Sequence, residues 1–117
     1  MSLDVYLTSP ACEHCGRSGR DGGELFSANI THNLNRMAEE AGIYQHVWRP
    51  EEIGITHARQ LIEPLRVGIA LMKSDPGRFR QHDADNGWGR YDDFVPWLER
   101  YLAACEMYPD ATVEVSR

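Results

Sequence analysis

The length, composition and charge of this chain favour a single acidic globular domain. Its 117 residues are enough for one hydrophobic core but not for two, and a hydrophobic share of 42% argues against disorder. The formal net charge of −6 disfavours binding of duplex nucleic acid or anionic lipid through the overall field. No apolar run is long enough to span a bilayer, and Asp4 lies where a signal peptide would be basic. We therefore expect one domain over residues 1–117, located in the cytoplasm and without a membrane partner.

Alternating apolar residues predict strands at both ends of the chain. Residues 3–8 alternate, with Leu3, Val5 and Leu7 on one side, and residues 24–30 are the expected hairpin partner. Thr112–Ser116 alternates again. Because a lone two-stranded hairpin is only marginally stable, we expect this third strand beside the first.

The loop between the first two strands carries Cys12 and Cys15 in a Cys-x-x-Cys-Gly sequence. This spacing presents two thiolates to one metal ion and supplies half of a tetrahedral zinc site. The remaining ligands would come from a second subunit or from a histidine, namely His32, His46, His57 or His82. A local disulfide and a reduced loop tip are the alternatives. Cys105 lies in an apolar helical stripe and is interpreted as a core residue.

The period changes to that of helices between the hairpin and the last strand. The apolar stripe of a first helix begins at Ile30, and the chain enters this helix at His32 and leaves it at Gly42. A short turn over residues 44–48 follows. A long helix capped by Thr56 continues across Pro64. A last helix begins at a cap formed by one of two aspartates, Asp92 or Asp93. The predicted fold is α+β, with a small antiparallel sheet of N-terminal hairpin and C-terminal strand packed on three or four helices.

A run of amide, hydroxyl and imidazole side chains marks the start of the first helix. Asn29, His32 and Asn33 belong to this run, and the helical period places His32 nearly opposite the apolar stripe. Such side chains near free backbone N–H groups suit an anionic or amide-bearing ligand. The alternative is that Thr31 or Asn29 caps the helix and His32 is solvated.

Two further segments combine tryptophan with polar residues. Trp48 and Arg49 would stack on a flat ligand and bind an anion, or else Trp48 packs under the helices and Arg49 pairs with a glutamate. Asn86 and Trp88 lie in Asn-Gly-Trp-Gly, which suits either an exposed aromatic platform or an ordinary loop anchor. The chain contains no phosphate loop, dinucleotide fingerprint or nucleophile elbow.

Several runs of this sequence resemble a family of small uncharacterised proteins from bacteria and their phages, which has no assigned activity. The similar region extends from about Asn29 onward, and its most distinctive runs are Asn-Ile-Thr-His-Asn-Leu, Trp-Arg-Pro-Glu-Glu and Asn-Gly-Trp-Gly. The Cys-x-x-Cys pair is not universal in that family, which weakens the zinc hypothesis. The resemblance suggests, by analogy, sequestration of a nucleotide signal or blocking of a host partner.

The sequence therefore leads to three functional hypotheses. In the first, the protein binds a small polar ligand without turnover, such as a nucleotide or nucleotide-derived signal, through Asn29, His32, Asn33, Trp48, Arg49, Asn86 and Trp88. In the second, it is an inhibitory protein–protein module that uses exposed aromatics and its acidic surface to block a basic site of a partner such as a host protein. A second copy of the chain, in a homo-oligomer, is the other expected protein partner. In the third, it is a small enzyme that uses His32 as a general acid or base.

Overall fold

The alternation of apolar residues in the first strand determines how the sheet packs. In a computed structural model, which describes residues 2–9, 24–83 and 89–117, the side chains of Leu3, Val5 and Leu7 are fully buried. They lie on the face of a three-stranded antiparallel sheet that the helices cover, since successive side chains of a strand point to opposite faces. The strands are β1 (Ser2–Thr8), β2 (Glu24–Thr31) and β3 (Thr112–Ser116).

The strand order β2-β1-β3 confirms that the two terminal strands share one sheet. Val5 is opposite Val115 and Leu7 is opposite Val113, so the apolar sides of β1 and β3 coincide. Val5 is also opposite Ala28 of β2. The predicted α+β fold is therefore confirmed.

Helices and tight turns connect β2 to β3. None of the helices in the described ranges is long and apolar enough to cross a membrane. The helices are α1 (Asn35–Glu40), α2 (Tyr44–Trp48), α3 (Arg59–Ser74), α4 (Pro76–Arg80) and α5 (Tyr91–Met107), with 3-10 turns at His32–Leu34 and Pro50–Ile53.

The chain enters its first helical segment at His32, as predicted, although the apolar stripe of the helix includes Ile30. Ile30 and Thr31 remain in β2, because they pair with Leu3 and Ser2 of β1. A 3-10 turn follows before α1 begins at Asn35. Cross-strand pairing thus outweighs the helical period here, while Gly42 has the left-handed backbone (φ +76°) expected beyond a helix end.

Both predicted N-caps are wrong. Helix α3 begins at Arg59, and the Oε1 atom of Gln60 accepts hydrogen bonds from the N–H groups of Thr56 (2.7 Å) and His57 (2.9 Å). Helix α5 begins at Tyr91, ahead of both predicted caps, and the Tyr91 N–H donates to a carboxylate oxygen of Asp83 at 2.7 Å. The first N–H of α3, that of Arg59, donates to the Pro109 carbonyl at 2.9 Å, so both helix starts are satisfied by groups distant from the predicted caps.

The two long helices pack against each other, and α5 contacts β2 of the sheet. Helix α3 continues through Pro64 as a single helix, as predicted, and packs against α5. The Cys105 thiol on α5 is fully buried, in agreement with a core role. Burial, and secondarily the charge of Glu106, raises the pKa of this thiol to about 12.

Candidate functional site

The polar run of the sequence lies where β2 passes into the first 3-10 turn. We call residues 31–34 the strand–helix junction. The Thr31 hydroxyl accepts a hydrogen bond from the Asn33 N–H at 3.3 Å, so Thr31 caps the turn. Capping by Thr31 was one of the alternatives considered for this polar run. Leu34 is fully buried, and the neighbouring His32 is only half-buried.

The His32 ring is fixed by a buried tryptophan. The indole Nε1 of Trp48 donates a hydrogen bond to Nδ1 of His32 at 2.9 Å, and Trp48 is only 2% exposed. In a neutral imidazole only one nitrogen carries hydrogen. Because Nδ1 is the acceptor, the hydrogen lies on Nε2, and within the described part of the chain Nε2 has no hydrogen-bond partner. The ring therefore presents one oriented N–H donor.

An aromatic cluster holds Trp48 in place. Its ring stacks on Tyr44 with centroids 5.7 Å apart and an interplanar angle of 15°. On another side it meets Phe94 of α5 edge-on, with centroids 6.1 Å apart. Contacts from two helices thus fix the indole, and through its N–H they fix His32.

Gly89 brings the end of the Asn-Gly-Trp-Gly segment to the same junction. Its backbone has φ +103°, and a β-carbon at this position would lie 3.0 Å from Cβ of Asn33 and 3.1 Å from Cγ2 of Thr31. Only glycine permits both this conformation and this close approach. Asn86 and Trp88 themselves lie outside the described residues.

Arg49 follows Trp48 in the chain, but its guanidinium turns to its own segment. Nε donates to the Tyr44 hydroxyl at 3.2 Å, and another nitrogen donates to Glu52 at 3.0 Å. The hydrogen bonds to Tyr44 and then Glu52 raise the pKa of the guanidinium. The structure joins His32 to Trp48, whereas no hydrogen bond or ring contact among the described residues joins His32 to Arg49.

Asn29 lies on the face of the sheet that the helices do not cover. Its side-chain amide donates to Asp4 at 2.7 Å and to Ser2 at 3.0 Å, both on β1. Asp4 is its cross-strand neighbour. These bonds give Asn29 a role in strand pairing.

The residues proposed for zinc are not among those the structure describes. Cys12 and Cys15 lie outside residues 2–9, 24–83 and 89–117. Within those ranges no group of three or more histidine, cysteine, aspartate or glutamate side chains is placed to hold a metal ion. The zinc hypothesis stays a prediction.

Two residues of this region were missed by reasoning from the sequence. Tyr44 stacks on Trp48 and accepts a hydrogen bond from Arg49. Its i, i+4 spacing from Trp48 is the sequence signal that predicts the stacking. Arg117 donates to the Trp48 carbonyl at 2.9 Å and also pairs with Glu51. Arg117 is far from Trp48 and Glu51 along the chain, so no local sequence pattern predicts these contacts.

Comparison of the chain with family models, curated proteins and solved structures gave no match.

Proposed function

We propose that the protein binds a small polar ligand at the strand–helix junction and does not convert it. The hydrogen bond from Trp48 to His32 carries this proposal. It gives the junction an N–H donor whose direction is set by a buried indole, which is how binding sites fix the orientation of a ligand. A ligand with an acceptor such as a carbonyl or phosphate oxygen suits this donor.

The same hydrogen bond favours binding over acid–base catalysis. A general base at Nε2 needs that nitrogen free of hydrogen, which would place the hydrogen on Nδ1. Nδ1–H would then face the Trp48 N–H, and two donors cannot bond to each other. The contact therefore supports a role for His32 as a fixed donor rather than as a general base.

We propose a nucleotide or nucleotide-derived signal as the ligand class. Such a ligand has acceptor atoms that His32 and Asn33 would hydrogen-bond. Its flat base would stack on Trp88, and its anionic group would pair with Arg49. Arg49 becomes available by exchanging Glu52 for the anion, since an exposed ion pair of this kind contributes little to stability. Trp48, which is buried, takes part by orienting His32.

Native mass spectrometry of protein purified from the cells that express it tests the proposal. The wild-type chain is expected to retain a non-covalent small molecule, which His32→Ala and Asn33→Ala each lose. His57→Ala is the matched control, because His57 lies next to α3 and bonds to Thr56. Circular dichroism verifies that each variant is folded. Wild-type protein without a bound molecule, or folded His32→Ala that retains it, would contradict the proposal.

A further inference from the structure

Among the residues that the structure describes, only part of the outer edge of β3 is covered. The Val113 N–H donates to the Thr56 carbonyl at 2.9 Å, and the Ala58 N–H donates to the Ala111 carbonyl at 2.9 Å. These two bonds form a short antiparallel bridge centred on His57 and Thr112. The bridge ends there, although β3 continues to Ser116.

Strand geometry gives the direction of the remaining backbone groups. In an antiparallel strand the N–H and C=O of one residue point to one side, and the side alternates along the chain. Because the Val113 N–H points away from β1, the N–H and C=O of Val115 also point away from β1. Within the described residues no group accepts from the Val115 N–H. It is an open donor on a sheet edge.

A left-handed turn leaves this part of the edge open. If the segment ending at Thr56 continued along β3, Gly54 would lie opposite Val115. Gly54 instead has φ +76° and leads back into the 3-10 turn Pro50–Ile53, which the Ile55 N–H closes by donating to the Pro50 carbonyl at 3.0 Å. The diverted chain leaves a groove of about 350 Å³ beside the strand.

The groove combines an apolar wall with acidic charge. Pro50 and Ile55 are buried residues that line it, beside Val115. Arg117 also lines it, but its charge is directed to Glu51 and to the Trp48 carbonyl. Glu114 has no ion-pair partner in the part of the chain that the structure describes, and the whole chain has a formal charge of −6.

We propose that this groove binds an extended, basic peptide segment of a partner protein, which adds to β3 as a further strand. Backbone bonds to Val115 supply affinity, as in other cases of strand addition. A side chain opposite Val115 lies on the helix-covered side of the sheet, towards Pro50 and Ile55, and is apolar. Its neighbours point to the other face, where a cationic side chain meets Glu114. This site is separate from the strand–helix junction.

The probe is an acetylated and amidated hexapeptide of alternating lysine and valine, followed by amide NMR and hydrogen exchange on the intact chain. In the free protein the Val115 amide is expected to exchange faster than that of Glu114, which points to β1. The peptide is expected to slow exchange at Val115. N-methylation of its valines is expected to weaken binding by roughly fivefold, because one net hydrogen bond is worth about that factor.

Variants separate backbone recognition from charge. Val115→Pro removes the outward N–H but no ladder bond to β1, and it is expected to abolish binding. Glu114→Lys is expected to weaken binding of the lysine peptide and to strengthen binding of a glutamate–valine peptide. Glu24→Lys, the same charge change at the start of the other edge strand, is the matched control and leaves binding unchanged.

Four outcomes would overturn the proposal. In the first, the lysine–valine peptide does not bind the folded wild-type chain, and in the second it binds but leaves hydrogen exchange at Val115 unchanged. In the third, the N-methylated peptide binds with equal affinity. In the fourth, Val115 becomes protected from exchange as the protein concentration rises, without any peptide. The last of these would show that a second copy of the chain covers the edge.

Discussion

Two buried tryptophans differ in what their indole N–H groups meet. Trp48 donates to His32, whereas Nε1 of Trp97 is buried and has no hydrogen-bond partner among residues 2–9, 24–83 and 89–117. Both rings make aromatic contacts to Phe94. Comparing the two tryptophans therefore separates the contribution of the hydrogen bond to His32 from the contribution of packing an indole ring.

Replacement of each tryptophan by phenylalanine tests this difference. Both changes remove a similar volume from the core, but only Trp48→Phe removes a hydrogen bond. We expect Trp48→Phe to lower the free energy of unfolding by about 1 kcal/mol more than Trp97→Phe, as measured by urea denaturation. An equal or larger loss for Trp97→Phe would show that the bond to His32 contributes little.

The structure also alters what His32→Ala is expected to do. From the sequence, a residue off the apolar stripe contributes little to stability, so a change of no more than about 0.5–1 kcal/mol is predicted. The observed contact means that the substitution leaves the buried indole N–H of Trp48 unpaired, which costs about 1–3 kcal/mol. Asn33→Ala is the better variant for testing the site without this loss.

At the scale of elements, the junction depends on a glycine that lies against it. Gly89→Ala places a methyl group within 3.0 Å of Asn33 and 3.1 Å of Thr31, in a backbone conformation with φ +103°. We expect a loss of about 1–3 kcal/mol in the free energy of unfolding and loss of the retained ligand. Thermal and urea denaturation provide the measurement.

Gly77→Ala in α4 is the matched control. A β-carbon at Gly77 meets no atom within 4 Å, and alanine is favoured over glycine within helices by about 0.5–1 kcal/mol. This variant is expected to be as stable as the wild type or more so. If Gly89→Ala behaves in the same way, the close approach to the junction is not a constraint on the fold.

Elements whose signal is local could be predicted from the sequence, and elements set by distant contacts could not. The alternation of apolar residues predicted β3, and the apolar stripe that continues across Pro64 predicted α3 as one helix. The helical period of Ile30 was misleading, because pairing with Leu3 of β1, distant in sequence, holds Ile30 in a strand. The short helix α4 was missed because Ser-Asp-Pro-Gly is typical of a chain reversal.

The candidate site follows the same division. The polar run identified His32 and Asn33 as candidates, and the interpretation in which Trp48 packs under the helices and Arg49 pairs with a glutamate describes the observed contacts. The hydrogen bond between Trp48 and His32 was not predictable, because the helical period assigned to His32 placed it towards solvent. The structure has it in a 3-10 turn instead.

At the scale of the whole molecule, an ion-pair cluster joins the first helix to the fourth. Arg78 donates two hydrogen bonds to one oxygen of Glu40, at 2.6 and 3.1 Å, and Nε2 of His82 lies 3.6 Å from the other oxygen. The hydrogen bond from Arg78, with smaller contributions from its charge and from His82, lowers the pKa of Glu40 below its ordinary value of 4.5. The contact links parts of the chain that are 38 positions apart.

The lowered pKa makes part of the stability depend on pH. A carboxyl group whose pKa is lower in the folded state stabilises the protein fully above its unfolded pKa, near 4.5. The contribution is lost as the pH falls through the folded pKa. We expect Glu40→Gln to be less stable than the wild type at pH 7 and to approach it below pH 4.5 in urea denaturation. Glu39→Gln, at an exposed neighbour, is the control, and a Glu40→Gln deficit that does not change with pH would contradict the prediction.

The zinc hypothesis is also tested on the whole molecule. If Cys12 and Cys15 hold zinc, freshly reduced protein contains a stoichiometric ion, which chelation removes with a fall in the melting temperature. The double variant Cys12→Ser, Cys15→Ser is expected to lack the ion, whereas Cys105→Ser retains it. Elemental analysis that finds no zinc in the reduced wild-type protein ends this hypothesis.

In the proposed site, Trp48 fixes His32 as an N–H donor for a small polar ligand. Long-range proton–nitrogen correlation NMR of the His32 ring tests this role. Spectra are recorded at a pH well above the ordinary imidazole range, before and after addition of a deproteinised small-molecule extract of the expressing cells. We expect Nε2 to carry the hydrogen in both samples and its resonance to shift and saturate with the extract. The protein is first freed of bound small molecules by unfolding and refolding. A hydrogen on Nδ1, or a ring spectrum that the extract leaves unchanged, would contradict the proposed role of His32.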